Sequence, residues 1–228
     1  PMPDLDDLYL HEQLLLLALH DEKGTMQGAS FEVGAGGAIL CELLLGGRIT
    51  LEPAKRGKKL MVKVSDTASP GEPILDEALR RIQGAKRQEG LAAWVTRIAG
   101  TKRLRHRIAD RLRHRGILGK REGRVLLVFS RALYPTANPA PEHELVERVR
   151  LAVLGDEQPP ARTAIIVTLA NQLGLLRPVL TRQQLKARKR RLKELAALEG
   201  VGDGTREALQ SVKQVIEAQA AAVVVAAT

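Results

Sequence analysis

The 228 residues carry 36 Lys/Arg against 26 Asp/Glu, a net charge of +10 with pI near 10.1, while aromatic residues make up only 2%. So few aromatics favour helices joined through aliphatic ridges over a β-sandwich, and speak against a single-strand nucleic-acid surface built on base stacking. The lone Cys41 rules out a disulfide within the chain and fits a reducing compartment. No apolar run approaches the roughly 20 residues that a bilayer-spanning helix requires.

In chain order, Leu8–His20 reads as a leucine-rich helix central to the core, capped by Asp6 or Asp7 and ended by Asp21-Glu22-Lys23-Gly24. Thr25–Val33 reads as a loop or short strand. Gly34-Ala35-Gly36-Gly37 then leads into a buried helix Ala38–Leu45. A glycine cluster before a helix can offer N–H groups to a phosphate, but this one has neither the Walker pattern nor Gly-x-Gly-x-x-Gly, and close helix packing explains it better. Arg48–Glu52 and Lys59–Ser65 form a hairpin around Lys55-Arg56-Gly57-Lys58. Its second arm, Lys58-Lys59-Leu60-Met61-Val62-Lys63-Val64, alternates basic and apolar residues. Such an arm suits a membrane surface touched by Leu60 and Met61, and equally an ordinary amphipathic strand.

Helices follow at Ile74–Gln83 and Leu91–Ala99, the latter carrying the only tryptophan, Trp94. Thr101–Leu118 is the most charged stretch. Between Lys102 and Arg124 ten Lys/Arg face two acids, Asp110 and Glu122. Leu104, Ile108 and Leu112 make an apolar stripe, with Thr101 as N-cap and Gly116 as stop. Arg103, Arg107, Arg111 and His114 project away from that stripe as a solvated face. Lys102 and Arg105, three apart at its edge, are spaced to hold a phosphate from two sides. A second hairpin is expected over residues 117–129, then helices at Glu142–Leu154, Arg162–Leu173, Arg182–Leu198 and Thr205–Ala227. The expected fold is mainly α: one domain, 1–228, with a helical core ringed by amphipathic helices and two short β-hairpins.

Nothing in the chain points to catalysis. The five histidines make no His-Glu-x-x-His pair, no Cys or carboxylate cluster stands at metal-ligand spacing, and no serine sits in a Gly-x-Ser-x-Gly elbow. Glu42 and Glu77 lie among apolar residues as structural ion-pair partners. No metal and no cofactor is expected. The positive charge, concentrated near Lys102–Arg124 and in Arg182–Lys193, calls for a polyanion. Residues alone leave two readings open. One is an anionic membrane surface. The other is duplex nucleic acid, bound by a winged-helix-like unit of helix 101–114 and hairpin 117–129 with Lys120 and Arg121 at its tip.

Taken in order, the segments LYLHEQLLLLALHDEKG (8–24), GGAILCELLLGGRITLE (36–52), ILDEAL (74–79), LAAWVTRIAG (91–100), the basic helix to RGIL (115–118), LVERVRLAVL (145–154) and the terminal VVVAAT (223–228) resemble the Golgi phosphoprotein 3 family. The resemblance implies a helical core with a protruding hairpin and a non-enzymatic peripheral membrane protein on the cytoplasmic face. Its implied ligand is phosphatidylinositol 4-phosphate, and its implied partners are anionic lipids and the cytosolic tails of membrane proteins. It places Lys102 and Arg105 at the family's headgroup pocket and Gly36 where the family has a third basic residue. The pocket tryptophan, due within Thr25–Val33, is missing; Arg48 or Arg107 could supply replacement charge. Lys58, Lys59, Leu60 and Met61 fall on the membrane-facing hairpin. The long N-terminal tail of eukaryotic relatives is not seen, and Ala-, Leu-, Arg- and Gly-rich usage points to a bacterial homologue from a GC-rich genome.

Overall fold

Two apolar helices at the start of the chain organise the rest. In the computed structural model, which describes residues 4–20, 28–54, 60–119, 134–197 and 202–226, α1 spans Leu10–His20 and α2 Gly28–Leu45. Leu10 and Leu14 to Leu17 are all fully buried, as are Phe31, Val33, Ile39 and Leu40. Helices apolar on every side must be enclosed by others. Accordingly α2 packs against α1, α4 (Leu91–Ala99) and α10 (Asp203–Ala226). α1 packs against α5 (Leu104–His114), α6 (Ala140–Leu154) and α7 (Ala161–Gln172).

The glycines expected to precede the second helix lie inside it. α2 begins at Gly28, so Thr25–Val33 is not a loop through its second half. Intrinsic propensity disfavours glycine in a helix; three crossings override it here. A Cβ at Gly34 would strike Leu173, one at Gly37 would strike Val212, and one at Gly36 would come within 2.8 Å of the Val95 carbonyl oxygen. Gly36 therefore lets α4 approach α2 backbone to backbone. Mid-helix, these residues present no N–H array to a phosphate.

The first helix is not capped by Asp6 or Asp7, which belong to a 3₁₀ turn at Leu5–Asp7. Its first N–H groups go to glutamates instead: Tyr9 N donates to Glu12 at 3.0 Å and Leu10 N to Glu42 at 2.6 Å. α3 (Pro73–Gln83) has Glu72 as N-cap, accepting from Leu75 N at 2.7 Å, with proline in its first turn.

Among the described residues there is one sheet, the antiparallel pair β1 (Ile49–Pro53) and β2 (Leu60–Val64), in register Ile49↔Val64 through Pro53↔Leu60. Leu60 and Met61 are half-buried; Lys58 and Lys59, expected on the same arm, lie outside the described residues. Most of the second expected hairpin, from residue 120, also lies outside them, and Leu118 makes an isolated antiparallel bridge with Thr136. The long basic helix near the C-terminal end is broken in two, α8 (Arg182–Ala187) and α9 (Lys189–Ala197). At the break Arg188 reaches back to Asp156 and to the Leu154 carbonyl. No helix among the described residues is long and apolar enough to cross a membrane.

Candidate headgroup site

The turn from α4 to α5 carries the residues singled out by spacing. α4 stops at Gly100, and α5 is entered through Arg103 at φ 56°, the one non-glycine residue with positive φ among those described. Left-handed backbone is costly for a residue with a Cβ and tends to mark sites held in place by their surroundings. Thr101 is thus not the N-cap; its hydroxyl accepts from the Arg81 guanidinium at 2.7 Å. The sharp turn leaves Lys102 exposed, with no ion pair among the described residues, while Arg105 turns inward.

Arg105 is anchored by α2. Its guanidinium lies 4.8 Å from the centroid of the buried Phe31 ring, and its Nε is 3.4 Å from a Glu32 carboxylate oxygen. Phe31 and Glu32 stand about one helical turn before Gly36, so the close α2–α4 crossing brings them beneath α5. Phe31 supplies an aromatic face within the stretch where the expected tryptophan is missing. Neither residue was picked out from sequence. An aromatic-acid pair one turn ahead of a packing glycine is the signal that was there to read. Gly36 itself is buried against α4 and contributes no side chain.

Of the four residues expected on a solvated face, Arg103 and His114 are exposed, whereas Arg107 and Arg111 are drawn into ion pairs with other elements. Arg107 pairs with Glu77 at 2.6 Å, Arg111 with Glu72 at 3.1 Å, Arg115 with Glu12 at 3.3 Å, and Arg113 with Asp110. Arg48, the other candidate to replace missing charge, is held by Asp66. Glu77 and Glu42 are structural partners as expected, Glu42 pairing with Arg162 at 2.6 Å.

Behind the paired arginines lie three fully buried ionisable side chains, His11, Glu12 and Glu72. His11 stacks on Tyr9 with centroids 5.7 Å apart, and neither ring nitrogen has a hydrogen-bond partner among the described residues. Burial, reinforced by the charges of Arg111, Arg115 and Arg162, pushes its pKa down to about 3, so the ring is neutral. Burial pushes Glu12 and Glu72 upward, opposed by backbone N–H donors and the two arginines. This cluster fastens α5 to α1 and α3. No group of three or more His, Cys, Asp or Glu among the described residues is arranged for a metal, and burial raises the Cys41 thiol far from reactivity.

A family model for Golgi phosphoprotein 3 (GPP34) matches residues 10–214. A vacuolar protein sorting-associated protein 74 from Eremothecium gossypii is 27% identical over 165 residues, covering 64% of this chain and 49% of that protein. The chain thus spans about half the length of the curated relative it matches.

Proposed function

Because the chain belongs to the Golgi phosphoprotein 3 family, we propose that it is a non-enzymatic peripheral membrane protein of the cytoplasmic face, binding a phosphorylated lipid headgroup at the α4–α5 turn. One observation carries this reading. Lys102, exposed and without an ion pair among the described residues, stands three residues from Arg105, whose guanidinium is fixed on Phe31. An exposed ammonium three residues from a preorganised guanidinium suits a phosphate, the arginine giving geometry and the lysine charge. Phosphatidylinositol 4-phosphate is the ligand this family membership favours. Leu60 and Met61 would touch the acyl boundary from the hairpin, with Lys58 and Lys59, which precede them in the chain, adding charge. Cytosolic tails of membrane proteins are the partners proposed by the same membership.

Duplex nucleic acid is the weaker reading. A recognition helix needs its basic residues available to a groove, whereas Arg107, Arg111, Arg113 and Arg115 are committed to Glu77, Glu72, Asp110 and Glu12.

The test is vesicle co-sedimentation at about 0.15 M salt, where exposed charges are screened beyond roughly 8 Å. Vesicles carry phosphatidylinositol 4-phosphate, a charge-matched amount of another anionic lipid, or neither. Binding that follows the phosphoinositide, and is lost in K102A/R105A but kept in R107A, whose arginine is held by Glu77, is the expected result. Binding that follows charge alone, with equal losses in both variants, would leave a diffuse electrostatic contact and no pocket. Absence of binding to any vesicle would sink the membrane reading.

A further inference from the structure

A second concave basic surface lies on the other side of the α4–α5 turn. A cavity of about 470 Å³ opens between the end of α3, the loop after it and the side of α4, lined by Arg81, Lys86, Arg87, Glu89, Trp94 and Arg97 among others. Four cations thus face one acid. Lys86 and Arg87 are exposed and make no ion pair among the described residues. Glu89 is engaged by Arg97 at 2.5 Å, and the Arg97 guanidinium lies 5.3 Å from the centroid of the buried Trp94 ring. Neither Lys102 nor Arg105 lines this cavity.

Its position is defined by two contacts. Arg81 donates to the Thr101 hydroxyl, and the Glu89 carbonyl accepts from Val62 N of β2 at 2.8 Å. The cavity therefore sits between the α4–α5 turn and the middle of β2.

We infer that this cavity is a second anion site, taking a multiply charged phosphate. The size fits a small ligand. A net excess of cations selects multiple negative charge, and three guanidinium forks fit phosphate oxygens. Base stacking plays no part, since Trp94 is 2% exposed. An entering phosphate competes with Glu89 for Arg97. Because Arg97 lies over the chain's only tryptophan, that exchange changes the field at the indole and reports itself in its emission. The phosphate could belong to a soluble molecule or to a lipid headgroup, and the chemistry at the cavity is the same for both.

The site does not depend on the headgroup reading, and its test separates the two. The full chain is titrated with inorganic pyrophosphate and, in parallel, with phosphatidylcholine vesicles with or without phosphatidic acid. Trp94 emission and calorimetric heat are followed in wild type, K86Q/R87Q, K102A/R105A and the charge-matched control R190Q/K193Q. Saturable binding is expected in wild type, K102A/R105A and R190Q/K193Q, and weaker by about tenfold or more in K86Q/R87Q. A response to pyrophosphate assigns a soluble phosphate; one confined to phosphatidic acid vesicles assigns a lipid. Silence in both arms, an unchanged response in K86Q/R87Q, or its loss in K102A/R105A or R190Q/K193Q overturns the proposal.

Discussion

Glu32 competes with any phosphate that would use Arg105, and removing its charge should tighten membrane binding. The carboxylate and guanidinium are 3.4 Å apart and their side chains are 26% and 19% exposed, so both are partly solvated. At an effective dielectric constant of about 20 the gross attraction at that distance is about 5 kcal/mol. Most of it is offset by desolvation and screening, and a pair this exposed is worth about 1 kcal/mol or less in net terms. The same figure, about 1 kcal/mol, is what one more available Lys/Arg contributes near an anionic bilayer. Glu32→Gln keeps the shape and a polar head while freeing one charge, so it should strengthen vesicle binding about fivefold. Co-sedimentation at two salt concentrations is the assay, and the gain should shrink at the higher one. Unchanged or weaker binding in E32Q would refute the reasoning. It would mean that Glu32 positions Arg105 and does not compete for it.

Acid should weaken the fold through His11. Its pKa is about 3 in the fold and near 6.5 in the unfolded chain, so its contribution is complete above pH 6.5 and is lost as pH falls toward 3. The expected slope from this group is about 1.4 kcal/mol per pH unit between pH 6 and 4. Glu12 and Glu72, shifted upward from the ordinary carboxylate value near 4.5, take up protons in the fold above that value and so offset part of this slope within the same window. His11→Phe keeps the stack on Tyr9 and should flatten the profile of melting temperature against pH; an unaltered profile would remove His11 from the account. Gly37→Ala should gain the helix preference of alanine, about 1 kcal/mol, but lose about 1–3 kcal/mol to overpacking against Val212. In a Val212→Ala background the same change should be stabilising. Equal effects in both backgrounds, measured by urea unfolding, would show that the α2–α10 crossing does not need the glycine.

How far the sequence could be read followed the range of the interactions involved. α3, α4, α6 and α7 were placed to within one or two residues at each end, because their ends and apolar stripes are written locally, as with Glu72-Pro73 and the Leu75, Leu79, Ile82 stripe. The start of α2 was missed because three glycines mimic a loop unless the side chains across from them, Leu173, Val95 and Val212, are known. The charged face of α5 was read correctly at the exposed Arg103 and His114 and missed at Arg107 and Arg111 for the same reason. Each partner that neutralises Arg107, Arg111 and Arg115 lies on a different element, at Glu77, Glu72 and Glu12. A helical wheel shows where a charge points and nothing of what it meets. The Lys102–Arg105 spacing was visible; Phe31 and Glu32 beneath it were not, since they come from residues more than seventy positions earlier.

Net charge therefore overstates what this chain offers to an anionic surface. An arginine paired with a carboxylate acts outward as a dipole, whose field falls faster with distance than that of a lone charge and is further cut by salt. On the turn and helix from Lys102 to Arg115, every arginine after Arg103 has an acidic partner, which leaves Lys102 and Arg103 as the unpaired charges among the described residues there. Across the Arg81–Thr101 hydrogen bond, Lys86 and Arg87 are two more. If the protein meets a membrane with this region, a few uncommitted cations flanking one turn set its affinity. Removing Lys102 should then cost more than removing Arg107, Arg111, Arg113 or Arg115, although each carries the same formal charge.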